Sequence, residues 1–417
     1  MVHAVSRGVF CLQGPHSRLA SAGIRFAALL LGVLLLNGCE QRAAPPLDQQ
    51  VYVWQRQWKD AHREALAHSR EDFSTLRVLA LQAFPKAGWS RARIDAQLLK
   101  ADGRPLIAVV RLDGQLPALD QDQINTQIQL LLADWQAQGL TLAGLEIDHD
   151  AGVARLPGYQ AFLAQLRNRL PSTLALSITA LPSWLGSREL PALLATVDSS
   201  VLQVHAVSDP RLGLFEPGQA RQWAQAWSKV TDKPFYLALP AYGVALLSNI
   251  EGAPLVESEV AIEQAGERQE LMADPRQLAT LALELRKDPP PHLAGLIWFR
   301  LPLKGDRRAW SLTTLKAVAR GEALDSQIDL SLVEQDGLFD IRLRNQGNLD
   351  SPLPEHLTLA VAQCDGFDAV AGYTVRQQGL QLLFSRQQPA RLAAGGERAV
   401  GWARCTKIDQ GASHVRP

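Results

Sequence analysis

The chain has 417 residues, of which 47% are hydrophobic and 20% are charged, and its 42 basic side chains equal its 42 acidic side chains in number. This composition is typical of a globular protein and excludes a disordered chain, a coiled coil, collagen and a polytopic membrane protein. A formal net charge of zero provides no basic field for phosphates, so we expect no nucleic-acid partner.

The first 38 residues are predicted to be a secretory signal peptide. Residues 26–36 form an apolar run of 11 residues, which three arginines precede and which the first acidic residue follows. The run is too short to span a membrane, because a spanning helix takes about 20 apolar residues.

The end of this run predicts a lipid anchor. It reads Leu36-Asn37-Gly38-Cys39 and resembles the lipobox of bacterial lipoproteins, which implies that Cys39 carries lipid and attaches the protein to a membrane. Glu40 follows in place of the Asp that favours the inner membrane, so the expected location is the outer membrane, facing the periplasm. Residues 39–50 would form a tether to the first strand. A plain signal peptide with an incidental cysteine is the alternative.

Export also determines the expected state of the remaining cysteines. Cys11 leaves with the signal peptide and Cys39 carries lipid, so Cys364 and Cys405 remain, in an oxidising compartment. A disulfide between them closes a loop of about 40 residues and stabilises the fold by roughly 4 kcal/mol on the loop-entropy model. The alternative, a metal site on two cysteines without nearby histidines, is disfavoured.

Between residues 51 and 321, β-rich runs alternate with segments of helical spacing. The predicted strands are Val51–Trp58, Arg77–Phe84, Pro105–Leu112, Leu142–Asp148, Leu174–Ala180, Ser200–Val207, Phe235–Ala241 and Leu293–Arg300. The predicted helices are Gln123–Gln138, Tyr159–Leu170, Gln219–Val230, Pro275–Arg286 and Ser311–Arg320. Eight such units in about 270 residues indicate an α/β fold, a (β/α)8 TIM barrel. An open doubly wound sheet is the alternative, although no Gly-rich phosphate loop follows the first strand.

Residues 325–417 are predicted to form a small all-β, sandwich-like domain, because alternating runs separated by turns replace the helical stripes. The predicted strands are Gln327–Glu334, Leu338–Asn345, Leu357–Cys364, Gly379–Arg386 and Arg398–Arg404. The stretch Ser248–Gln269, with five glutamates and little periodicity, is predicted to be an acidic insertion over the mouth of the barrel.

Three acids at the end of the fourth predicted strand are the candidate catalytic groups. Because strand side chains alternate, Glu146, Asp148 and Asp150 share one face, and the apolar residues between them share the other. Mutual repulsion and burial raise the pKa of at least one carboxyl, and a neutral acid beside an ionised one suits protonation of a leaving oxygen. The alternative is that Arg111 and Arg300 neutralise these acids in structural salt bridges.

The other strand ends supply candidate contacts to a substrate. They are Trp54, Gln82, Arg111, Thr179, Gln203, His205, Tyr242, Trp298 and Arg300. Trp184, Tyr242 and Trp298 offer flat faces for sugar rings, with a place in the core as the alternative for each. His205 is either an acid–base residue or a hydrogen-bonded core histidine.

We expect neither a metal nor another cofactor. Asp148, Asp150 and His205 are a conceivable set of ligands for a divalent cation, but no His-rich spacing supports it.

Three motifs carry a resemblance to a known family. They are SITALPSWL at 177–185, VLQVHAV at 201–207 and PFYLALPAYG at 234–243, and the segment 144–150 fits as well. Together they resemble the bacterial family labelled domain of unknown function 3142, over most of residues 51–321. The resemblance implies a barrel akin to those of glycosidases, and the family has no assigned activity to carry over.

A looser resemblance is to chitinase-type glycosidases, whose fourth strand ends in D-x-x-D-x-D-x-E. Glu146, Asp148 and Asp150 stand at the last three acidic positions, with Asp150 in place of the Glu that is the general acid there, and Ala143 stands at the first. Tyr242 ends strand seven, where some retaining barrels place a second Glu. The resemblance therefore implies that all acids lie on one strand and that the substrate's acetamido group is the nucleophile.

These patterns lead to alternative functions. The first is hydrolysis of a cell-envelope or secreted polysaccharide, with Asp150 as general acid, Asp148 as an orienting or stabilising carboxylate and Tyr242 as a hydrogen-bond donor. The second is a non-catalytic glycan-binding or envelope-assembly lipoprotein, and the third is a structural scaffold. The sequence leaves the oligomeric state open.

Overall fold

The structure, a computed structural model, describes residues 46–205, 213–247, 255–257 and 268–416. The predicted signal peptide, Cys39 and most of the predicted tether and acidic insertion lie outside these residues. Among the described helices, none combines the length and the apolar character that crossing a membrane requires.

Twelve strands lie in the described part of the chain before residue 300. They are β1 (Asp48–Val53), β2 (Thr75–Phe84), β3 (Gly88–Arg91), β4 (Leu106–Leu112), β5 (Leu142–His149), β6 (Ala175–Ala180), β7 (Ser199–Gln203), β8 (Phe235–Pro240), β9 (Gly243–Leu247), β10 (Leu255–Glu257), β11 (Arg268–Met272) and β12 (Leu293–Phe299). Eight of them pair in parallel in the order β1-β2-β4-β5-β6-β7-β8-β12. Gln50 of β1 lies opposite both Thr75 of β2 and Ile297 of β12, so the sheet closes on itself. The predicted TIM barrel is confirmed, and the open-sheet alternative is wrong.

Eight α-helices accompany these strands in the described residues. They are α1 (Asp60–Ser69), α2 (Ala96–Asp102), α3 (Gln121–Ala137), α4 (Leu156–Arg169), α5 (Leu190–Ala195), α6 (Pro217–Trp227), α7 (Pro275–Lys287) and α8 (Leu312–Arg320). Side-chain caps start several of them: Asp120 accepts from the backbone N–H of Gln123, and Ser311 accepts from that of Thr314. The five predicted helices are present, whereas α1, α2 and α5 were not predicted, because two are very short and α1 buries polar His62 within its stripe.

The barrel is buried on both faces of its sheet, as parallel strands require. On β5, Leu145 and Ile147 belong to the core between strands and helices, while Glu146 and Asp148 point into the barrel. The barrel interior also holds an apolar group that includes Tyr52 and Ile297. The period-two reading of β5 therefore places the acids inside the cylinder.

The loops on the mouth carry two small antiparallel additions. β3 pairs with the end of β2, and β9 pairs with β10 and β11. Parts of the predicted acidic insertion lie in these strands, since Leu255–Glu257 form β10 and Arg268 and Gln269 begin β11. Its sequence RQELM shows no apolar alternation because the strand is mostly exposed.

The C-terminal part of the chain forms antiparallel sheets, which confirms the all-β prediction. Its strands are β13 (Ile328–Gln335), β14 (Leu338–Asn345), β15 (Ser351–Pro352), β16 (His356–Ala369), β17 (Tyr373–Gln378), β18 (Gln381–Arg386), β19 (Arg391–Leu392) and β20 (Glu397–Arg416). Six of them form a sheet in the order β13-β14-β20-β16-β18-β17, and β15 pairs with β19. Cys364 of β16 lies opposite Cys405 of β20, and the two form the disulfide expected from the sequence, with their Cα atoms 3.9 Å apart.

Candidate active site

A cavity of about 350 Å³ opens at the carboxyl ends of the barrel strands. It brings together ten of the residues predicted from the sequence, which are Trp54, Gln82, Arg111, Asp148, Asp150, Thr179, Gln203, His205, Tyr242 and Arg300. It is also lined by residues that were not predicted, which are Tyr52, Arg56, Phe84, Asp113, Ala238 and Phe299. Active sites of TIM barrels lie at this end, because the loops that carry functional groups meet there.

Asp148 and Asp150 form the acid pair of the cavity. Asp148 is 3% exposed, and its Oδ1 accepts hydrogen bonds from Thr179 Oγ1 at 2.7 Å and Gln203 Nε2 at 3.2 Å. The Asp150 side chain is 38% exposed, but its Oδ1 is buried and has no hydrogen-bond partner among the described residues. Asp148 is thus held in place by two donors, whereas one carboxylate oxygen of Asp150 has no donor in the described residues.

Arg111 lies beside both members of the acid pair. Its Nη1 is 3.7 Å from Asp148 Oδ2, and its Nη2 is 3.7 Å from Asp150 Oδ2. Both distances exceed those of a charge-assisted hydrogen bond, and the cavity above remains open. The other arginine considered as a structural partner, Arg300, has its Nη2 2.8 Å from Asp306 Oδ2. The arrangement therefore departs from a closed, bidentate salt bridge.

The electrostatic surroundings raise the pKa of Asp150 to about 6. Burial is the largest cause, repulsion from Asp148 and Asp113 adds to it, and attraction to Arg111 opposes it. A substantial fraction of Asp150 is consequently protonated in mildly acidic solution. A carboxylic acid that keeps its proton near neutral pH can serve as a general acid.

Glu146 lies beneath the cavity and does not line it, which corrects its prediction as a catalytic group. It is 0% exposed, forms an ion pair with Arg77 of β2, and accepts hydrogen bonds from Tyr52 OH at 2.7 Å and Ser177 Oγ at 3.3 Å. Burial raises the pKa of Glu146, and Arg77 opposes this rise. Every contact of this carboxylate is internal to the barrel, and Glu146 supports the cavity from below through Tyr52, which lines it.

His205 and Tyr242 stand on the wall formed by the last strands of the barrel. Tyr242 OH lies 3.5 Å from His205 Nδ1, and the His205 ring stacks on Phe299 with centroids 5.7 Å apart. Burial lowers the pKa of His205 to about 4, so the imidazole is neutral near neutral pH. In the described part of the chain, no group of three or more acids, histidines or cysteines could hold a metal ion.

The aromatic wall of the cavity differs from the one predicted. Trp54 packs against Phe299, with ring centroids 4.9 Å apart, and the Arg111 guanidinium lies 5.8 Å from the Trp54 ring. Trp184 and Trp298 are both fully buried in the core between the strands and the helices. The prediction that they stack on sugar rings is therefore wrong. Their indole N–H groups donate to the Ala151 carbonyl and to the Gln49 side chain.

The loop that follows β4 packs closely on the backbone at Asp150. A Cβ added to Gly114 would lie 2.3 Å from the Asp150 carbonyl oxygen, so glycine is required there. Arg155 Nη1 donates to the Gly114 carbonyl at 3.1 Å, which also holds this loop. The position of Asp150 therefore depends on a close backbone contact that a side chain would prevent.

The closed barrel of eight parallel strands defines the fold class, a TIM barrel, and an acid pair lies at the carboxyl end of its strand β5. Residues 102–304 match the family model described as Domain of unknown function (DUF3142), which confirms the resemblance seen in the sequence. Residues 328–406 match the model described as Domain of unknown function (DUF8456). No curated protein matches the chain.

Several solved structures are similar to this chain. The spore cortex-lytic enzyme SleL of Bacillus cereus is 13% identical, with a TM-score of 0.49, over 66% of this chain and 74% of that one. A chitinase from Bacteroides thetaiotaomicron is 10% identical, with a TM-score of 0.49, over 67% and 98%. A chitinase from Chromobacterium violaceum is 13% identical, with a TM-score of 0.46, over 66% and 98%. Similarity at this level says nothing about the reaction of this chain.

Proposed function

We propose that this protein is a lipid-anchored glycoside hydrolase that acts on a cell-envelope or secreted polysaccharide, with Asp150 as the general acid. The observation that carries the proposal is the acid pair: Asp150, with its pKa raised to about 6, follows the buried Asp148 in an open cavity. The position at the carboxyl end of the barrel, the raised pKa and the access to solvent all favour Asp150 as the general acid.

In the proposed reaction, Asp150 donates its proton to the glycosidic oxygen as the bond from that oxygen to the anomeric carbon breaks. The acetamido oxygen of the substrate attacks the anomeric carbon, so no second enzyme carboxylate is needed as a nucleophile. Asp148, oriented by Thr179 and Gln203, faces the positive charge that develops at the reacting sugar. Water then attacks the anomeric carbon, the bond from that carbon to the acetamido oxygen breaks, and Asp150 takes the proton that the water loses.

Tyr242 is proposed to donate a hydrogen bond to the sugar in the transition state. Its hydroxyl lies 3.5 Å from Nδ1 of the neutral His205. A His205 tautomer with its proton on Nδ1 would donate to the Tyr242 oxygen and orient the phenol.

The location is proposed from the sequence. The motif Leu36-Asn37-Gly38-Cys39 supports lipidation of Cys39, and Glu40 after it supports the outer membrane. A barrel held there by a short tether, facing the periplasm, would be within reach of envelope glycans.

A non-catalytic glycan-binding lipoprotein is the second candidate, and one observation favours it. Arg111 lies 3.7 Å from both members of the acid pair and lowers the pKa of Asp150, which opposes its use as an acid. In this case the same cavity would bind a glycan without turnover.

The test compares residues 40–417, without the lipid, with matched asparagine variants. Release of reducing ends from N-acetylated envelope glycans is measured for the parent, Asp150→Asn, Asp148→Asn and the control Asp122→Asn, whose carboxylate on α3 is 89% exposed. We expect losses of about a hundredfold or more for the two cavity variants and none for the control. Turnover that survives in Asp150→Asn contradicts the proposed role of Asp150. Binding of a glycan by parent and variants, without turnover by any, supports the second candidate.

A further inference from the structure

The side of the cavity above β1 and β2 holds an arginine fixed in place. Arg56 Nε donates to Gln82 Oε1 at 2.7 Å, and the guanidinium carbon lies 5.6 Å from the centre of the Phe84 ring. The Arg56 backbone is also held, because its carbonyl accepts from the N–H of Arg93 at 2.8 Å. One edge and one face of the guanidinium are occupied, so the edge that carries Nη1 and Nη2 remains for a ligand.

Gln82 adds further donors beside this arginine. Since arginine has only donors, the amide oxygen of Gln82 must face Arg56, and the amide nitrogen is turned away. Gln82 is 3% exposed and lines the cavity, and its amide nitrogen has no hydrogen-bond partner among the described residues. Arg56 and Gln82 thus present donors, and no acceptor, to whatever occupies this part of the cavity.

Arg56 differs from the other cavity arginines in the charges around it. Arg111 lies beside the acid pair, and Arg300 pairs with Asp306. No carboxylate lies within ion-pair distance of Arg56 in the ranges that the structure describes. Its neighbours there are the neutral Gln82 and Phe84, while the cavity acids follow β4, which pairs with β2, and β5.

We infer that Arg56 and Gln82 bind the carboxylate of an acidic sugar residue, so that the glycan accepted by the cavity is an acidic polysaccharide. The planar Arg56 fork can pair with two carboxylate oxygens at once, and the Gln82 amide donates to one of them. The inference rests on the proposed function in one respect, that the ligand of the cavity is a glycan.

The test measures the binding of glucuronate and glucose, which differ by a carboxylate. Saturation-transfer NMR gives the affinities for the parent, Arg56→Gln and the control Arg63→Gln, which removes an exposed charge on α1, outside the cavity. We expect the parent to bind glucuronate about tenfold more tightly than glucose. We expect this ratio to fall towards one in Arg56→Gln and to persist in the control.

Two results would overturn the inference: equal affinities in the parent, or a preference for glucuronate that survives in Arg56→Gln. A third probe, glucose 6-sulfate, separates carboxylate from other anions, and tighter binding of the sulfate contradicts the assignment to a carboxylate. Melting curves of all three proteins verify that they are folded.

Turnover measured on the same proteins distinguishes this inference from the proposed hydrolysis. Turnover of neutral glycans without any preference for glucuronate contradicts the carboxylate site alone. A preference for glucuronate that depends on Arg56, without turnover of any glycan, supports the carboxylate site and contradicts the proposed hydrolase.

Discussion

Two substitutions next to Asp150 should move its pKa in opposite directions. Burial raises this pKa to about 6, the charge of Arg111 lowers it, and the charge of Asp113 raises it. Arg111→Met removes the attraction while it keeps a long side chain, so the pKa of Asp150 should rise further. Asp113→Asn removes a repulsion at nearly constant size, so the pKa should fall.

The size of the first shift follows from the geometry. Arg111 Nη2 lies 3.7 Å from Asp150 Oδ2, and two unit charges at this distance interact by about 1 kcal/mol in water and by about 4 kcal/mol at an effective dielectric constant of about 20. The two side chains are 35% and 38% exposed, so solvent screening favours the lower value. An interaction of about 1 kcal/mol corresponds to a little less than one pKa unit, so we expect the pKa of Asp150 in Arg111→Met at about 7.

The assay follows the carboxyl carbon of Asp150 by NMR as a function of pH, with the Asp150→Asn spectrum to assign its signal. If the protein is a hydrolase, the pH profile provides a second readout, because the general acid acts in its protonated form. The activity of the parent should then fall as the pH rises through about 6, and that of Arg111→Met as it rises through about 7. Shifts of the same sign in Arg111→Met and Asp113→Asn would refute this electrostatic reasoning.

Three further predictions concern packing. Gly114→Ala, whose Cβ would lie 2.3 Å from a backbone carbonyl, should cost about 1–3 kcal/mol in the unfolding free energy; Gly152→Ala, with open space around it, should melt like the parent. Asn125→Leu should raise the unfolding free energy by about 1 kcal/mol, since both amide atoms of Asn125 are buried without a partner in the described residues, and unchanged urea unfolding contradicts this. Replacement of Cys364 and Cys405 by alanine, a pair 41 positions apart, should lower the stability of the C-terminal sheet by about 4 kcal/mol, and a loss below about 1 kcal/mol argues against the loop-entropy account.

Much of the barrel could be predicted because its elements follow local patterns. Parallel strands buried on both faces produce short apolar runs, and helices that cover them produce stripes such as Ile124, Ile128 and Leu131 of α3. The alternation along β5 also identified which residues point inward. These features depend on a few neighbouring positions, so they can be recognised without the rest of the fold.

The candidate site was harder to predict, because it depends on where each strand ends. The inward face of β12 carries Ile297 and Phe299, so Trp298 faces the helices, one residue away from the prediction. Arg56 follows the end of β1 at Val53, whereas the sequence placed it within a strand that continued to Trp58. These assignments require strand ends to an accuracy of one residue.

Contacts between distant parts of the chain were also beyond the sequence pattern. Arg77 and Glu146 are 69 positions apart and meet because β2 and β5 face the same interior. The sequence offered Arg111 and Arg300 as partners for the acids, and only Arg111 lies beside them. A periodic pattern shows which way a side chain points, but not which residue it meets there.

The ion pair between Arg77 and Glu146 fills part of the barrel interior below the cavity. The two side chains are 1% and 0% exposed, and removal of either would strand a buried charge at a cost of about 3–5 kcal/mol. A polymer therefore cannot thread through the barrel from end to end, and it has to enter and leave by the same opening. Adaptation to a different polymer can change the residues at the cavity opening one at a time. Arg77 and Glu146 below the cavity have to be kept or replaced together.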